Sequence, residues 1–390
     1  MPYNFIIDNG GFFMRIKLGR AYNDGTRFDG KVLEIENGIF KEIKDGGEAE
    51  LDLSEYVVFP GFIDMHTHGG MGMEANASSY EELDKLSHFY AEAGVAEFCA
   101  TPVTEKVEKL VEIEQNIVKR IKDGTSGANI AGIYLEGPFL SRKLRGAHCE
   151  ELLAVPSKQD IDVLCDAAEG NLRVVAIAAE ADENFEITEY TVSKGIKVAL
   201  GHSAATCAEA NAEFDAGASI AVHTYNCMSP LHHREPGIVG ASLVRDDVYN
   251  EIICDFIHVA PEAVKVAIRC KGKDKIVFIT DSVSAAGLPD GEYDLGPMKT
   301  YVKDGVARIA AGNLAGSSLR LNAALKNVVT KLGVSIEEAM LGVTKNPAEA
   351  IGMYDKIGSI AVGKRAHLTV LDNDFNVVMT VVDGEIVYKR

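Results

Sequence analysis

Eight short runs rich in apolar and β-branched residues recur between positions 57 and 281, and they constrain most strongly what this 390-residue chain can fold into. They read VVFPGFIDMH (57–66), VAEFCATPV (95–103), NIAGIYLEG (129–137), RVVAIAAE (173–180), IKVALGH (196–202), SIAVHTY (219–225), NEIICDFIH (250–258) and KIVFITD (275–281). Between most of them lie longer stretches with apolar residues at helical spacing. Two such stretches, SYEELDKLSHFYAEAG and KVEKLVEIEQNIVKRIKDG, each close on glycine, as helix C-termini commonly do. Strand–helix alternation repeated eight times predicts an α/β fold, a (β/α)8 TIM-type barrel of parallel strands.

The polar residues fall at the ends of these runs. His66 and His68 end the first, Glu136 the third and His202 the fifth; His223 falls late in the sixth, His258 ends the seventh and Asp281 the eighth. Side chains two apart on a strand share a face, so His66 and His68 aim at one point. In such a barrel the C-terminal strand ends share one rim, where active sites are built. Of the ten histidines only His88 and His367 lie outside these runs and the loops that follow them. An isolated H-x-H is often a chance pair; this convergence reads His66 and His68 as metal ligands.

Histidine and carboxylate without thiolate suit a divalent Zn, Fe, Mn or Co ion. Glu136, His202 and His223 make a three-ligand set with an open position for water, whose pKa a metal lowers to about 7 in favourable cases. Asp281 is placed to take that proton and return it to a leaving group. His66 and His68 would add a second ion bridged by Glu136, giving one or two ions per subunit.

The flanks have a different texture. Residues 14–56 and 357–390 alternate short β-like pieces with turns such as NDG, ENG and KDGG, and the chain closes on VVDGEIVYK. The two ends are predicted to pair into one small β-sandwich domain (1–56 and 357–390) beside the barrel (57–356). Ser335 and Glu338 stand at capping-box spacing and predict a helix there.

Hydrophobic residues at 47% and charged residues at 25% describe an ordinary soluble composition. A formal net charge of −19 argues against nucleic acid or anionic membranes as partners, while leaving room for a local cationic pocket. MPYNFIIDNGGFF lacks a basic n-region and carries Asp8, so it does not read as a signal peptide, and the fold is expected to start at Met14. No run approaches bilayer-spanning length. Seven scattered cysteines without a C-x-x-C pair read as reduced thiols in a cytoplasmic protein.

The stretches PGFIDMHTHGG, YLEGPF, RGAH, ALGHS, HTYNCM, HHREPG, DFIHV, ITDS and NLAGSS occur in this order across the whole barrel. Together they resemble the amidohydrolase superfamily, and within it the family of N-acetylglucosamine-6-phosphate deacetylases. The resemblance implies metal-dependent hydrolysis of the acetamide of an N-acetylated amino-sugar phosphate, releasing acetate, by a subunit of a homodimer or higher homo-oligomer. It implies Glu136, His202 and His223 as metal ligands and Asp281 as acid and base. His148, after Ala147, would hold or polarise the acetyl carbonyl. Asn226 and Cys227 would line the sugar, Arg234 and His258 with Asp255 of DFIHV would serve the phosphate, and Leu314, Ala315 and Gly316 would close over the substrate.

Arg234 with His258 or His233 could supply the cationic pocket on chemistry alone. Ser317 reads as the cap of the following helix. GGMGM after His68 reads as a flexible loop, and His367 as a surface residue of the β-domain. Some members of the family lack the first-strand histidines and hold one metal; both are present here, which favours two. Cys227 stands where the family usually has alanine and reads as a small filler rather than an oxidisable thiol. Cys149 stands where asparagine is common. Glu136 removes the need for a carboxylated lysine, against a dihydroorotase or hydantoinase. The rival readings are an amidohydrolase for another N-acetylated sugar, a non-catalytic metal-bearing scaffold and, last, a metal-free glycoside hydrolase.

Overall fold

The computed structural model describes residues 6–8, 11–77 and 79–390, with side chains from residue 13 onward. The reading of the segment before Met14 as an extension falls largely outside those residues. The strand Gly11–Asn23 runs through Met14, and Phe13 already pairs with Glu36, so the ladder begins ahead of the expected start.

Eight parallel strands form the barrel in chain order: Phe62–Thr67, Val95–Ala100, Asn129–Leu135, Leu172–Ile177, Lys197–Leu200, Ile220–Ala221, Tyr249–Ile253 and Ile276–Ile279. Their residues are almost all buried, because side chains fill the interior and helices cover the outside, which explains why these runs read as continuously apolar. Met65, Cys99, Tyr134, Ala176, Val222 and Ile279 pack the interior. At the seam between last and first strands, the Asp281 N–H donates to the His66 carbonyl at 3.0 Å. Thr280 Oγ1 donates to the Asp64 carboxylate at 2.6 Å, and burial pushes that carboxyl up to about 7.

The first run, expected as one barrel strand over 57–66, divides in two. Leu51–Pro60 belongs to a second sheet, where Pro60 pairs with Leu368, and the barrel strand starts only at Phe62. Gly61 makes the crossing: a Cβ there would lie 2.5 Å from the Ala96 Cβ and 2.6 Å from the His367 Cβ. An apolar run reports burial but not which of two sheets buries it. The second sheet has nine strands and joins both ends of the chain, with Gly11–Asn23, Lys31–Glu36 and Ile39–Asp45 on one side of Leu51–Pro60 and Leu368–Leu371, Val377–Val382 and Glu385–Lys389 on the other.

His367 is not a surface residue. It is 4% exposed, its Nε2 lies 3.0 Å from Glu97 Oε1, and its Nδ1 accepts the Asp383 N–H at 3.0 Å. Arg365 donates to the same Glu97 oxygen at 2.7 Å. Glu97 is a buried carboxylate on the second barrel strand that must be paired, and Arg365 and His367, just ahead of the strand Leu368–Leu371, supply its partners together with Asn129 of the third barrel strand at 3.3 Å.

The helix Tyr80–Ala91 starts with a Ser79–Glu82 capping box, and Val107–Asp123 ends on Gly124 in a positive-φ conformation (77°). Ser335 accepts the Glu338 N–H at 3.3 Å as expected, but the helix breaks into Ile336–Ala339, Met340–Val343 and Lys345–Ala350. GGMGM, expected as a loop, forms a short hairpin: Gly69–Gly70 pairs with Met73–Glu74, and the Gly69 and Met71 N–H groups donate to the Ser282 and Ala286 carbonyls at 2.9 and 2.8 Å. A three-stranded antiparallel sheet, Gly291–Leu295, Met298–Lys303 and Val306–Ile309, inserts between the last barrel strand and the helix Leu321–Leu332. Among the described residues no helix is long and apolar enough to cross a membrane.

Candidate active site

The barrel strands stop short of the polar residues expected to end them. The fifth closes at Leu200, the sixth at Ala221, the seventh at Ile253 and the eighth at Ile279, so His202, His223, His258 and Asp281 follow the strands rather than belong to them. His202, His223 and Asp281 have positive φ of 44°, 24° and 51°. Left-handed backbone at residues other than glycine costs of order 1–3 kcal/mol each and persists only where surrounding structure enforces it. Here it marks the three turns that leave these side chains in the mouth.

Their side chains meet around Glu136. His223 Nε2 lies 2.9 Å and His202 Nε2 3.3 Å from Glu136 Oε1, and these two nitrogens are 3.0 Å apart. His68 Nε2 lies 3.1 Å from Glu136 Oε2 and 2.9 Å from Asp281 Oδ1. His66 Nε2 is 3.4 Å from Glu136 Oε1, and His148 Nε2 3.4 Å from Glu136 Oε2. The ligand atoms fall into two groups that share Glu136: one with His66, His68 and Asp281, the other with His148 and His202.

The outward ring nitrogens of His66, His68 and His202 are tied down, whereas His223 Nδ1 is buried and makes no hydrogen bond. His68 Nδ1 bonds the Thr101 carbonyl at 2.8 Å, His202 Nδ1 the Leu144 carbonyl at 3.0 Å, and His66 Nδ1 the Glu251 carboxylate at 2.9 Å. An Nδ1–H donated outward leaves the Nε2 lone pair facing inward, which is the arrangement a metal-binding imidazole needs. His66 Nε2 is buried and makes no hydrogen bond. This donor set, imidazole and carboxylate oxygen without sulfur, fits a divalent ion.

Burial would raise the carboxyl of Glu136, but the facing imidazoles of His66, His148, His202 and His223 hold it well below the usual carboxylate range. Burial likewise opposes ionisation of Asp281, and the contact with His68 prevails, so its pKa is lowered. His148 is pushed down to about 4, chiefly by burial, and stays neutral; its Nδ1 is 2.8 Å from Thr104 Oγ1.

A cavity of about 310 Å³ opens above this cluster. Ala147, His148, Asn226, Cys227, His258, Leu314 and Gly316 line it beside His68, Glu136, His202, His223 and Asp281. Other expected residues lie elsewhere. His66 is fully buried beneath the floor. Ala315 turns away to pack with Val283 and Leu295. Asp255 stands behind His258, its Oδ2 2.7 Å from His258 Nδ1, and lines an adjoining cavity of about 470 Å³ that shares His258 and Gly316. Arg234 is exposed, 2.7 Å from His233 Nε2, and is not among the lining residues. Ser317 caps no helix: its hydroxyl donates to the Thr280 carbonyl at 2.5 Å, and the next helix begins after Arg320.

Sequence reasoning missed Thr104, Val103, Leu295 and Asn313 on or beside the cavity, and Glu251 beneath it. Glu251 had one signal, a carboxylate inside the apolar run NEIICDF. Leu295 had another, the alternation of GEYDL before a Gly-Pro turn.

The family model described as the amidohydrolase family matches residues 57–387. The N-acetylglucosamine-6-phosphate deacetylase of Vibrio furnissii is 37% identical over 364 residues, covering 92% of this chain and 91% of that protein. The N-acetylgalactosamine-6-phosphate deacetylase of Escherichia coli O157:H7 is also 37% identical, over 95% of this chain and 98% of that one. Among solved structures, a mutant N-acetyl-D-glucosamine-6-phosphate deacetylase from Mycobacterium smegmatis in complex with N-acetyl-D-glucosamine-6-phosphate superposes with a TM-score of 0.92 at 31% identity, covering 97% of this chain and 100% of that one. The Thermotoga maritima N-acetylglucosamine-6-phosphate deacetylase gives 0.88 at 35%, with coverage of 97% and 100%. This chain belongs to the amidohydrolase family.

Proposed function

We propose that the chain hydrolyses the acetamide of N-acetyl-D-glucosamine 6-phosphate to D-glucosamine 6-phosphate and acetate, in amino-sugar catabolism or recycling. The observation that carries the reading is the placing of Asp281, beside two histidine clusters that share Glu136, on the floor of a monosaccharide-sized cavity whose wall presents His258. The relatives from Vibrio furnissii and Mycobacterium smegmatis support it.

Glu136, His202 and His223 would hold one divalent ion (Zn, Fe, Mn or Co) and His66 and His68 a second bridged by Glu136, with His148 close enough to Glu136 to adjust either. When bound, such an ion acts as a Lewis acid that acidifies a water and polarises the amide carbonyl. Asp281 takes the proton from the attacking water as its oxygen bonds to the acetyl carbon. It then delivers that proton to the sugar nitrogen as the C–N bond breaks and acetate leaves. His148, neutral and held by Thr104, orients the acetyl oxygen. Asn226 and Cys227 line the sugar, and Leu314 and Gly316 cover it.

His258, whose imidazole the Asp255 carboxylate biases toward its charged form against the effect of burial, faces the phosphate. Arg234 lies outside this cavity, so within one chain the phosphate contact rests on His258. Exposed Leu231 (54%) and Ile257 (51%) stand on the segments that carry Arg234 and His258 and support a homodimer or higher homo-oligomer, which light scattering on the purified protein tests. Seven free cysteines support a cytoplasmic location.

A second reading follows from the Escherichia coli relative: the N-acetylgalactosamine phosphate, or another N-acetylated sugar phosphate, as substrate. Acetate release by the metal-loaded protein from both phosphorylated sugars and from unphosphorylated N-acetylglucosamine decides between them. Preference for the glucosamine phosphate, abolished by chelation, supports the first reading. Preference for the galactosamine phosphate moves the substrate and keeps the chemistry, and equal or absent activity on all three sinks the phosphate assignment.

A further inference from the structure

Glu251 sits on Tyr249–Ile253 with no exposed surface, between Tyr249 and Ile253 of the barrel's inner packing. An ionised carboxylate in such surroundings is tolerated only when it is bonded. Its Oε2 takes two bonds, from His66 Nδ1 at 2.9 Å and from the His223 backbone N–H at 3.1 Å. Its Oε1 makes no hydrogen bond. Both bonds of this buried carboxylate therefore go to residues of the histidine cluster, His66 and His223, whose Nε2 atoms both face Glu136 Oε1.

Holding the His223 amide explains only half of this arrangement, since a backbone N–H is satisfied equally well by a neutral acceptor. His68, His148 and His202 set their rings with a carbonyl or a hydroxyl; His66 alone of the four uses a carboxylate. A carboxylate on Nδ1–H fixes the tautomer, orients the ring and strengthens the opposite nitrogen as a donor. The same oxygen pins His223 at its left-handed turn of φ 24°.

We propose that Glu251 is a positioning residue that sets the affinity of the His66/His68 subsite for the second divalent ion and registers that subsite against His223. This rests on the reading of the cluster as a metal centre.

The test is a titration of chelator-stripped protein with Co²⁺, following stoichiometry by calorimetry and ligand geometry by the visible spectrum. It compares the parent, Glu251→Gln, His66→Ala and the double variant. Glutamine keeps one carbonyl acceptor in place and removes the charge, so the fold has little reason to fail; melting of the stripped proteins checks this. The parent is expected to bind two ions. Glu251→Gln should weaken the second by about 10–100-fold, the range for outer partners of metal ligands, with the first left nearly unchanged. In the His66→Ala background Glu251→Gln should add no further loss. Unchanged second-ion affinity in Glu251→Gln, or equal loss of both ions, overturns the proposal. A parent that binds no Co²⁺ overturns the metal-centre reading itself.

Discussion

Asp281 Oδ1 stands 2.9 Å from His68 Nε2, while the Asp281 backbone N–H donates to the carbonyl of His66 at 3.0 Å. The backbone of the residue proposed to move protons is thus held by the strand pair that closes the barrel, while its carboxylate faces His68 in the cluster. Asp281→Asn is therefore expected to lower kcat by about 10²–10⁴-fold, the usual worth of a positioned acid–base group. Metal content and melting temperature should stay near the parent's. Acetate release measured beside metal analysis checks it; full activity in the variant would remove Asp281 from the mechanism.

Glu136 is met by His66, His148, His202 and His223 in a buried cluster. Ions bound to the folded state and not to the unfolded one add stability by mass action. Chelation is expected to abolish hydrolysis and lower the melting temperature. The far-UV circular dichroism should persist, because the barrel's apolar core does not pass through the ligands. Restoring Zn²⁺ or Co²⁺ should recover both. A chelated protein that still hydrolyses the amide would contradict the metal requirement.

Burial works against a charged His258, but the Asp255 carboxylate at 2.7 Å outweighs it and raises the imidazole's pKa. A raised histidine keeps its charge below that pKa and loses it as pH climbs through it. The KM for the phosphorylated sugar should accordingly rise toward alkaline pH. Asp255→Asn removes the main group that opposes burial and leaves only the weaker pull of Asp281, so the same rise should start at lower pH, while KM for the unphosphorylated sugar stays flat in both. Identical KM–pH profiles for parent and variant would separate His258 from phosphate binding.

Glu114 lies buried in the helix Val107–Asp123, neither carboxylate oxygen has a hydrogen-bond partner, and burial pushes its pKa up to about 9. Below about pH 4.5 both folded and unfolded states hold the proton. Between there and about 9 only the folded state does, so stability falls as pH rises. At pH 7 this amounts to up to about 3 kcal/mol. Glu114→Met is expected to raise the urea midpoint, and to do so more at pH 8 than at pH 5. An equal gain at both values would mean that Glu114 does not carry this proton linkage.

Much of the site was legible because local rules place it. A two-residue period puts His66 and His68 on one face, and parallel strands carry Glu136, His202, His223 and Asp281 to one rim. What those rules do not contain is the backbone beyond the strand ends. The left-handed turns at His202, His223 and Asp281, and the burial of His66 below the cavity that His68 lines, depend on contacts made by distant segments.

By itself, then, the sequence determined the alternation of strand and helix, the inventory of ligands and their convergence at one end of a barrel, since periodicity and chain order are properties of the string. Only the tertiary structure decided the rest. It split VVFPGFIDMH between two sheets at Gly61 and buried His367 against Glu97. It left Arg234 outside the cavity that His258 lines, and it set Glu251 behind His66. Each of these depends on which partner a residue meets across more than a hundred positions of chain, or on what a loop leaves uncovered. Burial, hydrogen-bond satisfaction and ring orientation exist only once those partners are in place.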